Sequence, residues 1–448
     1  MTTDLHAVPR APGALPLLGH TLALARNPFG FLRSLRKSGD LVRVDLGTKL
    51  PVYFATSAEM VHEVTVTRAR SMAKGRLYER VRPLVGDGLA TASGPVHRKH
   101  RRLMQPMFHH ARIEDYTRTM SRRARELTGS WTHGQRIAVE QVMADYAIET
   151  LAETMFSSDI GRPAVEAVRH NLPVILKNML LRAASPKAFD KLPIRRNRDF
   201  DAAALSLRQV IDEVIATTRS SGQADQGDLL SLLMSARDAD TGEALSDEEV
   251  RDELVTILFA GTETTASTVS WALHAIGNHP EVERQLLAEV DEIVGDGPVT
   301  MEQVPRLEGI KRVLDETIRL HGVTLLMRRT TEPVELGGFT VPADTEVAFS
   351  LYALHRDPAL YTDPDRFDPD RWLPERKAEV PREGFVPFGS GNRKCIGDAF
   401  SWAEATILLA TILRRYTLRP IPGRVPKEAL SAMAHPDRVE MEIISRAA

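Results

Sequence analysis

At 448 residues the chain is long enough for a large core, although length alone leaves one big domain as open as about three average ones. Lys plus Arg (58) nearly balance Asp plus Glu (60), so a formal charge of −2 provides no global field for nucleic acid or an acidic surface. A single cysteine excludes an internal disulfide framework and a multi-cysteine zinc site, and points to a reducing, cytoplasmic setting.

In chain order, the first uncharged stretch spans residues 11–25 and is broken by Pro12, Gly13, Pro16, Gly19 and His20. It is shorter than the roughly 20 apolar residues of a spanning helix, so neither a membrane anchor nor a signal peptide is expected. Phe31, Leu32 and Leu35 recur at helical spacing until Gly39. Val42, Val44 and Leu46 alternate with Arg43 and Asp45 as a strand does, and residues 52–55 offer it a partner. From about 113 to 319 the pattern is mostly helical, with breaks near 129–134, 161–163 and 222–228.

Within that stretch, Ser246 opens S-D-E-E, a capping-box pattern, and Val250, Leu254, Ile257 and Leu258 continue at three- and four-residue spacing towards Pro280. One unusually long helix is predicted. Short strands follow at 334–336, 339–341 and 346–351, then a Pro/Asp-rich loop over 357–387 and an apolar helix at 398–416. With no internal repeat, the expected architecture is a single domain, mainly α with small β-sheets (α+β). Its β-rich portion falls at roughly 40–56 and 324–352, and its helical portion at roughly 57–320 and 396–416.

The only cysteine lies in Phe388-Gly389-Ser390-Gly391-Asn392-Arg393-Lys394-Cys395-Ile396-Gly397, between a glycine-rich turn and the start of a helix. That position favours a thiolate, because helix N-terminal amides stabilise S⁻ and glycines allow close approach of a flat cofactor. A buried inert thiol is the ordinary alternative for a lone cysteine. A nucleophile would need a histidine base that no local pattern supplies.

Phe388, Gly391, Arg393, Cys395 and Gly397 resemble, at every fixed position, the cytochrome P-450 signature F-x-x-G-x-R-x-C-x-G. The resemblance extends along nearly the whole chain. Glu316-Thr-Ile-Arg319 is similar to the family's E-x-x-R pair, and Phe367-Asp-Pro-Asp-Arg371-Trp372 to the segment whose arginine completes a network holding the cysteine loop. Ala260-Gly261-Thr262-Glu263-Thr264-Thr265 is similar to A/G-G-x-D/E-T-T on the long helix.

The resemblance implies the cytochrome P-450 fold, with haem b (iron protoporphyrin IX) between the long helix and the cysteine loop and Cys395 as axial ligand to its iron. It also implies thiolate electron donation that favours O–O cleavage. Thr264 is expected to donate a hydrogen bond to dioxygen beside Ala260 and Gly261, with Glu263 relaying protons. The alternative for Thr264 is a bond to its own i−4 carbonyl. His97, Arg101, Arg328 and Arg393 match propionate-binding positions.

Leu89, Val174, Ile175, Leu176, Met179, Leu180, Leu181, Leu258, Val323, Leu325, Leu326 and Met327 fall in substrate-contacting regions and are apolar, which suits a lipophilic substrate. The chain resembles actinobacterial oxygenases of cyclic sesquiterpenes. Electrons are expected from a ferredoxin and a ferredoxin reductase using NAD(P)H, steered by Arg98, Lys99, Arg102, Lys311, Arg312 and Lys394. The competing functions are a peroxide-driven or dioxygen-independent enzyme acting on a fatty acid or polyketide, and a non-enzymatic haem sensor.

Overall fold

The S-D-E-E segment does start a helix. The Ser246 side chain accepts from the Glu249 amide while the Glu249 carboxylate accepts from the Ser246 amide, a reciprocal cap that satisfies two otherwise orphaned donors. The helix runs unbroken over Asp247–Asn278, the longest among the described residues. The computed structural model describes residues 3–47, 51–156, 161–184, 191–221, 228–238 and 241–446, apart from the side chains of 3, 177 and 179–184.

In chain order, the elements that position the site are strands β1 (Leu41–Val44), β2 (Val52–Ala55) and β3 (Met72–Lys74), and helices α1 (Gly94–Met104), α2 (Val139–Met155), α3 (Asp247–Asn278) and α4 (Glu308–His321). Strands β4 (Leu326–Thr330) and β5 (Glu346–Phe349) and helix α5 (Asp398–Arg415) complete the set.

The chain divides into two compact units, neither of them contiguous in sequence. The first comprises Met1–Arg76, Gly309–Cys395 and Pro426–Asp437. Its centre is a five-stranded sheet of order β1-β2-β5-β4-β3. β2 and β5 pair in parallel, whereas β4 runs antiparallel to both its neighbours. Tyr53, Val61, Met72, Val347 and Phe349 build the apolar core against it. β5 ends at Phe349, earlier than the periodicity predicts, because the Ser350 side chain caps a short helix at Leu351–Leu354 by accepting from the Ala353 amide.

The second unit comprises Leu77–Glu308, Ile396–Val425 and Arg438–Ala448. In it α3 packs along α2 and against α5, and twenty of its side chains are buried. That burial explains why its apolar pattern is nearly continuous instead of one-sided. No helix among the described residues is long and apolar enough to cross a membrane.

Candidate functional site

Three features of the first unit converge on the cysteine loop. Gly389 and Gly391 adopt φ of 71° and 68°, the left-handed region that glycine enters without strain. A Cβ on Gly391 would stand 1.9 Å from the Thr65 carbonyl oxygen, so the loop can lie against that segment only with glycine there. The Ser390 and Thr65 hydroxyls lie 2.7 Å apart and fix the contact. The turn closes when the Cys395 amide donates to the Phe388 carbonyl at 2.9 Å. Cys395 itself is exposed, which sets aside the buried inert thiol, and it sits two residues before Gly397, the N-cap of α5. A Cβ on Gly397 would meet nothing closer than Phe108 at 3.8 Å, so close packing does not explain that glycine.

The second feature is the brace behind the loop. Glu316 and Arg319 are fully buried and joined by two hydrogen bonds of 2.8 Å. Glu316 also accepts from the Asp368 amide and the Trp372 indole, each at 3.0 Å. Arg319 donates further to the carbonyls of His355, Pro364 and Arg366. Arg371 joins as an ion pair at 3.6 Å from Glu316, and the Tyr361 ring lies under both guanidiniums. Such a pair offsets its desolvation only because its lone pairs and N–H groups are met in this way.

Sequence reasoning missed the link from brace to loop, which is His355. Burial, with Arg319 and Arg356 nearby, pushes its imidazole down to about 3. The neutral ring accepts from the Val386 amide at 3.2 Å, and the Val386 carbonyl accepts from Gly389.

The third feature is a cluster of cations. Lys74 on β3 is directly opposite Arg328 on β4 in the antiparallel register. Burial holds the Lys74 amine well below its ordinary range, and Arg328 and Arg393 depress it further. Arg328 is buried and Lys74 and Arg393 are half-buried, and three basic side chains, two of them close enough to depress the third, favour an anion of more than one charge between them. The two carboxylates of haem b meet that demand beside a thiol, so the residues present fit the group. Arg328 and Arg393 were expected in this role; Lys74 was not, because a three-residue strand leaves little periodicity to read.

The second unit carries the remaining expected residues. His97 is buried and Arg101 half-buried one turn later on α1. On α3, Ala260 is exposed and Gly261, Glu263 and Thr264 are half-buried, in a helix whose neighbours Leu258, Phe259, Thr262 and Thr265 are buried. These residues form an accessible stripe on the helix. Two details differ from expectation. Thr264 donates to the Ala260 carbonyl at 2.8 Å, the i−4 bond that sequence reasoning ranked second. The same bond recurs at Thr262, Thr268 and Ser270, so hydroxyls by themselves do not mark an oxygen site. A Cβ on Gly261 would fall 2.8 Å from Leu151, which makes this glycine a contact point between α3 and α2.

Among the expected substrate contacts, Ile175 and Leu258 are core residues at 0% exposure, and Met327 is also buried. Leu89, Val174, Leu176, Val323, Leu325 and Leu326 are half-buried. The side chains of Met179, Leu180 and Leu181 lie outside the described residues. Several of the expected steering cations have internal partners: Lys99 pairs with Glu249, Arg102 with Asp238 and Lys311 with Asp315.

A fully buried acid on α5, Glu404, also escaped sequence reasoning. Burial pushes its carboxyl up to about 8, offset only in part by the Thr265 hydroxyl. It is therefore a neutral acid packed against α3.

A thiol on a glycine-bound loop, braced from behind and accompanied by a cluster of basic side chains, is the arrangement of a haem-thiolate protein. The family model for cytochrome P-450 matches residues 9–442. Cyclooctatin synthase of Streptomyces melanosporofaciens is 43% identical over 96% of this chain and 94% of its own. Cyclooctat-9-en-7-ol 5-monooxygenase of the same organism is 43% identical over 92% and 90%. Pentalenene oxygenase of Streptomyces avermitilis is 33% identical over 97% of both. The crystal structure of the cytochrome P-450DA haem domain superposes with a TM-score of 0.86 at 29% identity, covering 100% of this chain and 99% of that one. The chain belongs to the cytochrome P-450 family, and haem is its cofactor.

Proposed function

We propose that the protein is a ferredoxin-supported monooxygenase that hydroxylates a cyclic terpene, as a hydrocarbon or an already monohydroxylated derivative. The observation that carries this reading is full-length similarity to a synthase named for cyclooctatin, a monooxygenase named for cyclooctat-9-en-7-ol and an oxygenase named for pentalenene. The accessible stripe of small and hydroxyl-bearing residues on α3 supports it.

When bound, haem supplies the oxidising chemistry by activating dioxygen at its iron. In this reading haem would be held through its iron by Cys395 and through its carboxylates by Lys74, Arg328 and Arg393, with His97 and Arg101. Gly391 and the Glu316–Arg319–Arg371 brace keep the thiol in place. Glu263 and Thr264 handle protons: the Thr264 proton is committed to Ala260, which leaves its lone pairs to accept from water.

The test is a titration of the purified protein for Soret shifts with pentalenene, cyclooctat-9-en-7-ol, a fatty acid series and a macrolide. Turnover with a surrogate ferredoxin, its reductase and NADPH follows. Terpene-selective shifts and hydroxylated product support the reading. Shifts with fatty acids alone, or more product with hydrogen peroxide than with the electron-transfer proteins, overturn it.

A further inference from the structure

The Gly86–Leu89 turn of the second unit is fastened to α3 by carboxylates. The Asp87 amide donates to Asp252 at 2.8 Å, and the Leu89 amide donates to Glu253 at 3.0 Å. The fit is close: a Cβ on Gly86, at φ 68°, would stand 1.9 Å from the Asp252 carboxylate, and one on Gly88 would stand 2.3 Å from the Thr256 hydroxyl. Thr91 ties the turn to itself by donating to the Gly86 carbonyl.

Behind Glu253 stands His100 of α1, and both residues are essentially without solvent exposure. The imidazole Nδ1 lies 2.6 Å from one Glu253 oxygen, and Nε2 lies 3.2 Å from Glu249. Both ring nitrogens thus face carboxylate oxygens, and the doubly protonated ring donates to both. Burial raises the Glu253 carboxyl above its ordinary range, and His100 and the Leu89 amide act against that rise by favouring the carboxylate. Burial disfavours charge on His100, but Glu253 and Glu249 outweigh it and raise its basicity. Glu249 is shared with Lys99 and with the Ser246 cap; despite its partial burial these partners hold it at about 2. The other charges here are Asp252 and Arg251, with Arg251 paired in turn to Asp212 and Glu248, and Asp87 of the turn itself, which pairs with Arg82 at 3.3 Å while Arg82 donates to the Thr91 carbonyl.

We propose that His100 and Glu253 are positioning residues for substrate admission: the imidazolium secures Glu253, and Glu253 anchors the Leu89 turn to the long helix. Because Glu253 precedes Ala260 by seven residues, two turns along one face of α3, the clasp sets where Leu89 stands relative to the accessible stripe. Deprotonating His100 removes a donor from one carboxylate and loosens the turn, which speeds entry of bulky apolar ligands. The inference rests on the proposed reading only in taking Leu89 to meet substrate, so its test uses a ligand that needs haem but no terpene.

Two measurements on the haem-loaded protein decide it. Hydrogen exchange of peptides covering residues 86–92 is expected to rise about tenfold in E253L at pH 7, corresponding to loss of one charge-assisted bond, while peptides of α5 stay unchanged. The on-rate of 4-phenylimidazole, taken as a ratio of wild type to E253Q, is expected to climb as pH rises through the His100 titration. The side-chain amide of E253Q can accept from Leu89 and donate to a neutral His100, so this variant retains the clasp and loses the pH dependence. Carbon monoxide, small enough to bypass the turn, is expected to show no such trend. Unchanged exchange in a folded E253L overturns the proposal. If E253L fails to fold, a flat wild-type to E253Q ratio between pH 6 and 9 overturns it instead.

Discussion

Thr264 commits its single proton to the Ala260 carbonyl, so whatever it does for oxygen chemistry it does as an acceptor until that bond is released. Thr264→Ala should keep haem and ligand binding while product formation falls on the order of 10²-fold, the low end for a proton-handling group. NADPH oxidation should continue and hydrogen peroxide should accumulate. Wild-type coupling in this variant would remove Thr264 from the proton route.

Glu404 supplies a second residue-scale test. Its folded carboxyl titrates near 8 because of burial, far above the unfolded value near 4.5. The folded state therefore holds a proton that the unfolded state releases, and stability should decline as pH climbs from about 4.5 to about 8, by a few kcal/mol at most. Glu404→Gln should melt progressively higher than wild type over that range and match it near pH 4. Parallel melting curves would show that the carboxyl is not held neutral.

At the scale of elements, α4 and the loop around Arg371 act as one braced unit around Glu316, which accepts four hydrogen bonds. Glu316→Gln places an amide donor against two of those donors. Leaving Arg319 without its carboxylate should cost roughly 3–5 kcal/mol. Haem-poor protein with lowered thermal stability is the expected result; normal haem content with impaired turnover alone would argue for a chemical role.

Much of this scale was legible in the sequence. S-D-E-E marked the start of α3, E-x-x-R and F-D-P-D-R-W marked the brace, and glycine spacing marked the cysteine turn. His355 was not legible, since a lone histidine carries no pattern and its role exists only where Val386 comes within reach of its ring. Lys74 depended on cross-strand register with Arg328, 254 positions away, and Glu404 looked like one polar interruption in an apolar helix. The contact of Gly261 with Leu151 was not legible, because it is fixed by helix packing that local sequence does not encode.

At the scale of the whole molecule, each compact unit is assembled from three separate stretches of chain. Parallel pairing of β2 with β5 joins residues almost 300 positions apart, which periodicity reports as two unrelated strands. The loop signature could be read at once because its residues are neighbours in sequence. The exposed Cys395 has a practical consequence here: with one sulfhydryl per polypeptide, the protein carries its own stoichiometric counter. A maleimide should alkylate the haem-stripped chain once and spare each chain whose thiolate is bound to iron. The unlabelled fraction in an intact-mass spectrum should then equal the haem occupancy measured from absorbance across a loading series, and Cys395→Ala should take up no label under any condition. Full labelling of haem-saturated protein would mean that the iron is held by something other than this sulfur.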